Sequence, residues 1–339
     1  MPSAPTAAAD TPSPDVDVLV VGAGPAGLTA ATVLGRQMRR VLVVDAGAPR
    51  NRDAGESHML LTRDGAAPAE ILRLGRAEAS SYPGVEFRRG VVESVTGRAG
   101  RFTAVVSGRT VTAALVLLAV GQADQVTGTP GLADLWGRGV YHCGYCHGFE
   151  SAGTPIGVVA ARAQDAILGR YLADRFSDDV VLFTGGIALD DAARAMLDAG
   201  GVRVEESPVA RVSGAEPEIV VMLDDGTRVT RARLFHRPDA VQSTGLVASL
   251  GCEMDGDWAT VLVDPTQATS VPGVFAAGDC AQQRGLPAPT GFLATGSGDA
   301  QRAAVWIETA LFMASLGAGW PGGGGDGKTD EDPGTAAED

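Results

Sequence analysis

The feature that most limits what this chain can fold into is the run DVLVVGAGPAG at Asp17–Gly27, followed by a helical pattern over Leu28–Arg36 and then by RVLVVD at Arg40–Asp45. The two β-branched apolar runs predict strands, and the stretch between them predicts a helix. Gly22 permits the tight turn, Gly24 lets a pyrophosphate approach the backbone, and Gly27 lets helix and strand pack closely. With Pro25 and Ala26 they form a loop whose N–H groups and helix-dipole end suit phosphate. Asp45 stands twenty-one residues beyond Gly24, at the end of the second strand, where a carboxylate can accept from ribose hydroxyls. A glycine pattern alone would be weak, but with both strands and the acid in register it outweighs a glycine turn in an ordinary α/β domain. The motif does not choose between FAD and NAD.

Composition bounds the rest. The 339 residues allow roughly two domains, and 45% hydrophobic residues can build two cores. With 27 basic against 41 acidic residues the net charge is −14, which disfavours a nucleic-acid binder because phosphate contacts need a basic face. All the basic residues but Lys328 are arginine, a codon bias rather than a mechanism. The stretch from Ala318 to Asp339 holds six acids and one lysine, and Asp10 is the charge of the first fourteen residues, so the body carries −8. Residues 1–14 and the Gly-rich acidic tail 317–339 are expected to be disordered. The start lacks the basic and apolar regions of a secretory signal. The longest apolar runs, such as Val111–Val120, are too short to span a bilayer. A cytoplasmic protein with no membrane partner is the expectation.

Four cysteines in such a chain point to redox or metal chemistry before a structural disulfide framework. Two of them lie in YHCGYCHGFE, Tyr141–Glu150. Cys143 and Cys146, three apart, can close a small disulfide ring, and a helix end or a neighbouring histidine lowers a thiol pKa, which matters because the thiolate is the attacking species. Cys-x-x-Cys-His also matches c-type haem attachment, but that requires export. Against a zinc site built from His142, Cys143, Cys146 and His147, adjacent His and Cys side chains diverge and no second ligand pair follows. No metal is expected. A buried structural pair is the remaining plain reading, and Cys252 and Cys280 read as small buried hydrophobes.

The far end reads TSVPGVFAAGD, Thr269–Asp279, a strand ending in Gly-Asp, then a helix over about Gly291–Leu316. GAGPAG, the LLAVGQAD of Leu117–Asp124, the mid-chain Cys-x-x-Cys and GVFAAGD together resemble the low-molecular-weight thioredoxin reductases, over Val16–Leu316. The resemblance implies an α/β flavoprotein with two dinucleotide-binding domains. A Rossmann-type FAD domain, residues 15–124 and 240–316, would be split by a smaller central domain, residues 125–239, that carries the cysteines. It implies FAD held by Gly22, Gly24, Pro25, Ala26, Gly27, Asp45, Gly121, Gly278 and Asp279. It also implies Cys146 as the flavin-proximal sulfur and Cys143 as the one that exchanges with substrate. His147 stands where those reductases carry an acid. With an ordinary imidazole pKa of ~6.5 it is expected to be general base and acid. Glu150 reads either as its orienter or as a solvated helix residue, and His58 either as a substrate residue or as an idle loop histidine.

One feature of those reductases is missing. Where a second glycine turn would hold NADPH, PIGVVAA at Pro155–Ala161 runs into Arg162–Ala166, with no glycine until Gly169. The next strand, Asp179–Gly186, ends without a basic cluster or a ribose-binding acid. NADPH is therefore not expected to bind. Cys-x-x-Cys-His joined to a degenerate nucleotide site resembles the thioredoxin-reductase-like dithiol oxidases of natural-product pathways, of which the gliotoxin and holomycin oxidases are the type. That resemblance implies a homodimer that closes a disulfide in a small dithiol and passes the electrons through FAD to O2, releasing H2O2. A disulfide reductase fed by ferredoxin or another donor, and a non-catalytic flavin redox sensor, remain as alternatives.

Overall fold

A computed structural model of the chain describes residues 13–126 and 128–320. The disorder expected of the termini therefore falls on segments outside the described residues, apart from residues 13–14 and 317–320. Trp320 is placed, packing on the first core beside Gly100.

The first unit runs β1 (Val16–Val21), α1 (Pro25–Arg36), β2 (Val41–Asp45), α2 (Pro68–Ala79) and β3 (Val85–Arg89), then a meander of β4 (Val92–Arg98), β5 (Arg101–Val106) and β6 (Arg109–Leu118). Its sheet order is β3-β2-β1-β6-β5-β4, with β6 parallel to β1. Both faces of β1 are covered, which is why it is apolar at every position of its second half. Val18 and Val20 pack with Ala30 and Leu34 of α1. Leu19 and Val21 face the opposite layer with Val116, Leu118 and Val261. Each such aliphatic side chain contributes roughly 1.5–3 kcal/mol on burial.

β7 (Gln122–Gln125) leads into the second unit, made of β8 (Val140–Tyr141), α3 (Gly144–His147), β9 (Ile156–Val159), α4 (Asp165–Arg175), β10 (Val180–Phe183), α5 (Asp191–Ala199) and β11 (Arg203–Glu205). It continues through an antiparallel sheet of β12 (Val209–Ala215), β13 (Glu218–Leu223) and β14 (Arg228–Arg231) to β15 (Arg233–Phe235). The order β11-β10-β9-β15-β8 is parallel throughout. Alternation again splits the core. Ile156, Val158 and Leu182 pack on the helices, and Val181 and Phe183 pack towards the β12–β14 sheet.

β16 (Asp239–Gln242) returns antiparallel to β7, so the chain leaves and re-enters the first unit side by side. There follow α6 (Leu246–Ser249), β17 (Met254–Asp255), β18 (Thr260–Val263), β19 (Val274–Ala276), β20 (Ala281–Gln283) and α7 (Leu293–Ser315). β19 adds to β6 in parallel. Small residues, Ala26 and Ala30 of α1 with Gly296, Ala300 and Ala303 of α7, let the two helices share one buried layer with the sheet. The carboxyl ends of β1, β6 and β19 thereby converge on Gly22, Ala119 and Ala277, the crevice where open α/β sheets take ligands. Among the described residues no helix is long and apolar enough to cross a membrane.

Candidate active site

The glycine loop leaves room for a ligand beside its backbone. Gly22 has φ +102°, and a Cβ there would lie 2.3 Å from the Ala119 carbonyl oxygen, so only glycine makes this turn. A Cβ on Gly27 would lie 1.9 Å from the Gly22 oxygen. Gly24 differs, because a Cβ there would meet nothing within 4 Å and would project into open space. No side chain caps the start of α1. Its first N–H groups are thus left for a ligand, as an anion site at a helix N-terminus requires. Asp45 accepts from the Ala23 N–H at 3.2 Å and pairs with Arg76 at 3.2 Å. Ser57, 6% exposed, lines the same cavity, and its hydroxyl has no partner. These features fit a dinucleotide such as FAD.

Gly121 and Gly278 adopt φ +66° and +79° on the cavity wall. Asp279 is there too, but sequence reasoning missed its neighbour. Arg50 donates to Asp279 at 3.0 Å and grips Asp124 through both Nε and Nη2. Burial alone would lower the Arg50 pKa, but the two carboxylates outweigh it and hold the guanidinium charged. The partners lie 74 and 229 positions away, so no local pattern could have pointed to Arg50.

Cys143 and Cys146 form a disulfide across the first turn of α3, with Cα atoms 5.2 Å apart. Cys143 is the N-cap of that turn, and its sulfur accepts from the Cys146 N–H at 3.1 Å. Cys146 and His147 line the cavity that holds the glycine loop, and Cys143 is not among the lining residues. Cys252 and Cys280 are buried and free. The Cys280 thiol lies near the Leu118 and Ala277 carbonyls, and burial pushes its pKa up to about 11.

The histidines depart from expectation. His147 stacks on Tyr141 with ring centroids 4.0 Å apart and meets His58 edge-on at 6.0 Å. Burial, reinforced by His58, His142 and Arg233, pushes its pKa down to about 4, so it does not titrate near neutrality. Glu150 does not orient it. The Glu150 carboxylate instead lies 3.4 Å from Nε2 of His58. His58 also has Glu56 and Asp64 within 3.5 Å. His142 stacks on Trp136 beside Arg50, and burial depresses its pKa. Among the described residues no group of three or more His, Cys, Asp or Glu is arranged to hold a metal ion.

The loop after β9, the counterpart of the glycine loop in the second unit, is closed by its own helix. Asp165, 2% exposed, turns its carboxylate back to accept from the Ala161 N–H at 2.8 Å and the Arg162 N–H at 3.1 Å. Arg162 is drawn away to the Arg237 carbonyl and Asp239.

The sequence model of the pyridine nucleotide-disulphide oxidoreductases matches residues 16–303. The chain belongs to that family. Among its relatives in this oxidoreductase family, thioredoxin reductase sirT of Leptosphaeria maculans is 33% identical over 285 residues, covering 78% of this chain and 86% of that protein. The crystal structure of HlmI shares 37% identity with a TM-score of 0.83, covering 89% of this chain and 94% of that one. An oxidoreductase from Agrobacterium tumefaciens shares 36% identity with a TM-score of 0.81, covering 88% and 99%. As a member of the pyridine nucleotide-disulphide oxidoreductases with a thioredoxin-reductase-like fold, the chain is an FAD-dependent thiol/disulfide oxidoreductase.

Proposed function

We propose that this oxidoreductase runs from dithiol to flavin, closing an intramolecular disulfide in a small dithiol, a natural product of the dithiolopyrrolone, diketopiperazine or peptide class, with O2 as acceptor and H2O2 as product. One observation carries the reading. The Asp165 carboxylate takes the loop N–H groups that a nicotinamide dinucleotide's phosphates would need, while the Cys143–Cys146 disulfide opens on an intact flavin cavity. A buried carboxylate there repels a phosphate as well as displacing it. Related proteins carry the name thioredoxin reductase, and this second loop is what argues against the same direction here.

In this mechanism His147, neutral and in the cavity, accepts the proton of a substrate thiol, and the resulting thiolate attacks the Cys143 sulfur. The Cys143–Cys146 bond breaks and Cys146 leaves as thiolate. The second substrate thiol, losing its proton to solvent, attacks the substrate sulfur of the mixed disulfide and releases Cys143 as thiolate. The substrate has then lost two electrons and two protons, and the cysteine pair holds the two electrons. The Cys146 N–H aimed at the Cys143 sulfur favours its departure as thiolate. Bound by the Gly22–Gly27 loop, Asp45, Gly121, Gly278 and Asp279, FAD would supply the two-electron acceptor for that pair and the donor for O2. Tyr145, exposed between the cysteines, stands 5.5 Å from Tyr171 and 6.0 Å from Phe292, an aromatic rim suited to a small, partly apolar substrate. Exposed Trp306, Phe312 and Met313 on α7 support a homodimer.

The test is anaerobic reduction of the holoprotein. A small dithiol is expected to bleach the flavin and NADPH to leave it yellow, with oxygen uptake and peroxide on re-aeration. Cys143→Ser and Cys146→Ser should each slow dithiol reduction at least ~10³-fold with flavin still bound. Rapid bleaching by NADPH, or a Cys146 variant at full rate, would overturn the reading.

A further inference from the structure

We propose that His58 is a positioning residue that keeps His147 neutral: set edge-on to His147 and enclosed by Glu56, Asp64 and Glu150, it takes the one proton the pair carries. This rests on His147 being the proton acceptor of the site, as proposed above.

The loop that carries His58 closes on itself. The Ser57 N–H donates to the Ala66 carbonyl and the Gly65 N–H to the Ser57 carbonyl, each at 2.9 Å. Met59 and Thr62 take φ +62° and +70° inside it, and the Met59 N–H holds the Asp64 carboxylate at 2.8 Å. Asp64 is thereby presented to Nδ1 of His58 at 3.5 Å. On the other side Nε2 faces Glu56 at 3.5 Å and Glu150 at 3.4 Å, the latter carried by the second unit just beyond α3. Nε2 is buried and makes no well-directed hydrogen bond, and Glu150 acts on the ring through its charge.

Around His147 the neighbours are basic groups instead. It faces His58, His142 and Arg233 and lies on the Tyr141 ring, whose hydroxyl donates to Glu216 at 2.7 Å. Glu216 also accepts from Arg233 at 3.1 Å, so the nearest carboxylate on that side is already engaged. Two imidazolium rings at 6.0 Å repel, and the three carboxylates decide which ring is charged. Burial works against charge on His58 as well, yet Glu150, Asp64 and Glu56 together hold its pKa above the ordinary imidazole value. A cation fixed at His58 leaves His147 free to accept a proton, and it adds a positive potential beside the cavity where Cys146 leaves as thiolate.

With four histidines in the chain, the imidazole signals of the FAD-loaded protein labelled at histidine can be assigned by single substitution and followed against pH. His58 is expected to titrate above the ordinary value and His147 well below it. His58→Gln should raise the His147 midpoint by about one pH unit, whereas His58→Lys, which keeps a charge, should leave it low. The acid limb of flavin reduction by a dithiol should move with it. Glu150→Gln, which keeps both rings, should lower the His58 midpoint. A His147 midpoint unchanged by His58→Gln, or a His58 midpoint indifferent to Glu150→Gln, would overturn the proposal. Because the titration is read without turnover, its failure is distinct from a failure of dithiol oxidation itself.

Discussion

Gly24 and Gly27 look equivalent in the motif, yet a side chain at each would meet different surroundings. At Gly27 the added carbon would sit 1.9 Å from a backbone oxygen that cannot move without breaking the β1 turn. Gly27→Ala should therefore cost several kcal/mol, on the order of an overpacked core site, and appear as a large fall in Tm. At Gly24 the carbon would point into open space, the approach a phosphate needs. Gly24→Ala should melt as an apoprotein within about 1 °C of wild type but lose most of its flavin, read from the flavin-to-protein absorbance ratio. A Gly24→Ala protein that stayed fully yellow would mean that Gly24 does not border the cofactor's phosphates. The histidines carry the same lesson. His147 was visible beside Cys146, but its depressed pKa was not, because burial and the basic groups around it, His58, His142 and Arg233, come from other elements.

At the scale of elements, the turns that follow β1 and β9 start alike and end differently. After β1 the helix begins uncapped, with its N–H groups open to the cavity. After β9 the first residue of α4 turns its own carboxylate back onto the loop. The absence of glycine between Val159 and Gly169 was legible in the sequence. That Asp165 would occupy the vacated donors was not, since the local pattern does not say whether an acid in the first turn of a helix faces water or the loop before it. Asp165→Ala leaves two N–H groups unsatisfied and should lower stability by about 1–3 kcal/mol, checked by thermal unfolding. It should not confer NADPH reduction of the flavin, because the β-carbons of Ala161 and Ala163 remain. Substantial NADPH turnover in that variant would show that the carboxylate was the whole barrier.

Across the whole molecule, Arg50 ties the first unit to the strand through which the chain leaves it. Asp124 lies on β7, has a side chain only 6% exposed, and takes two arginine nitrogens, while Asp279 takes the third. Removing the cation would leave Asp124 buried and unpaired, a situation that costs about 3–5 kcal/mol. Arg50→Gln is expected to lower Tm by several degrees, and Asp124→Asn placed on top of it should recover part of the loss. A double variant no better than Arg50→Gln would mean that the pair is not coupled. Because β7 and β16 run side by side, this link sits where the two units join, and loosening it should also weaken flavin retention.

What the sequence determined by itself was the local part of the fold and its chemistry. The strand-turn-helix-strand unit, the Gly-Asp strand end, the paired cysteines and the missing second glycine loop are each written within a dozen or so neighbouring residues, where steric rules act directly on the backbone. What the tertiary structure alone decided was charge. Glu150 serves His58 instead of His147, Asp165 closes its own loop, and Arg50 joins two distant acids, since electrostatic partners are chosen by proximity in space, and burial, a property of the folded whole, sets how strongly they act.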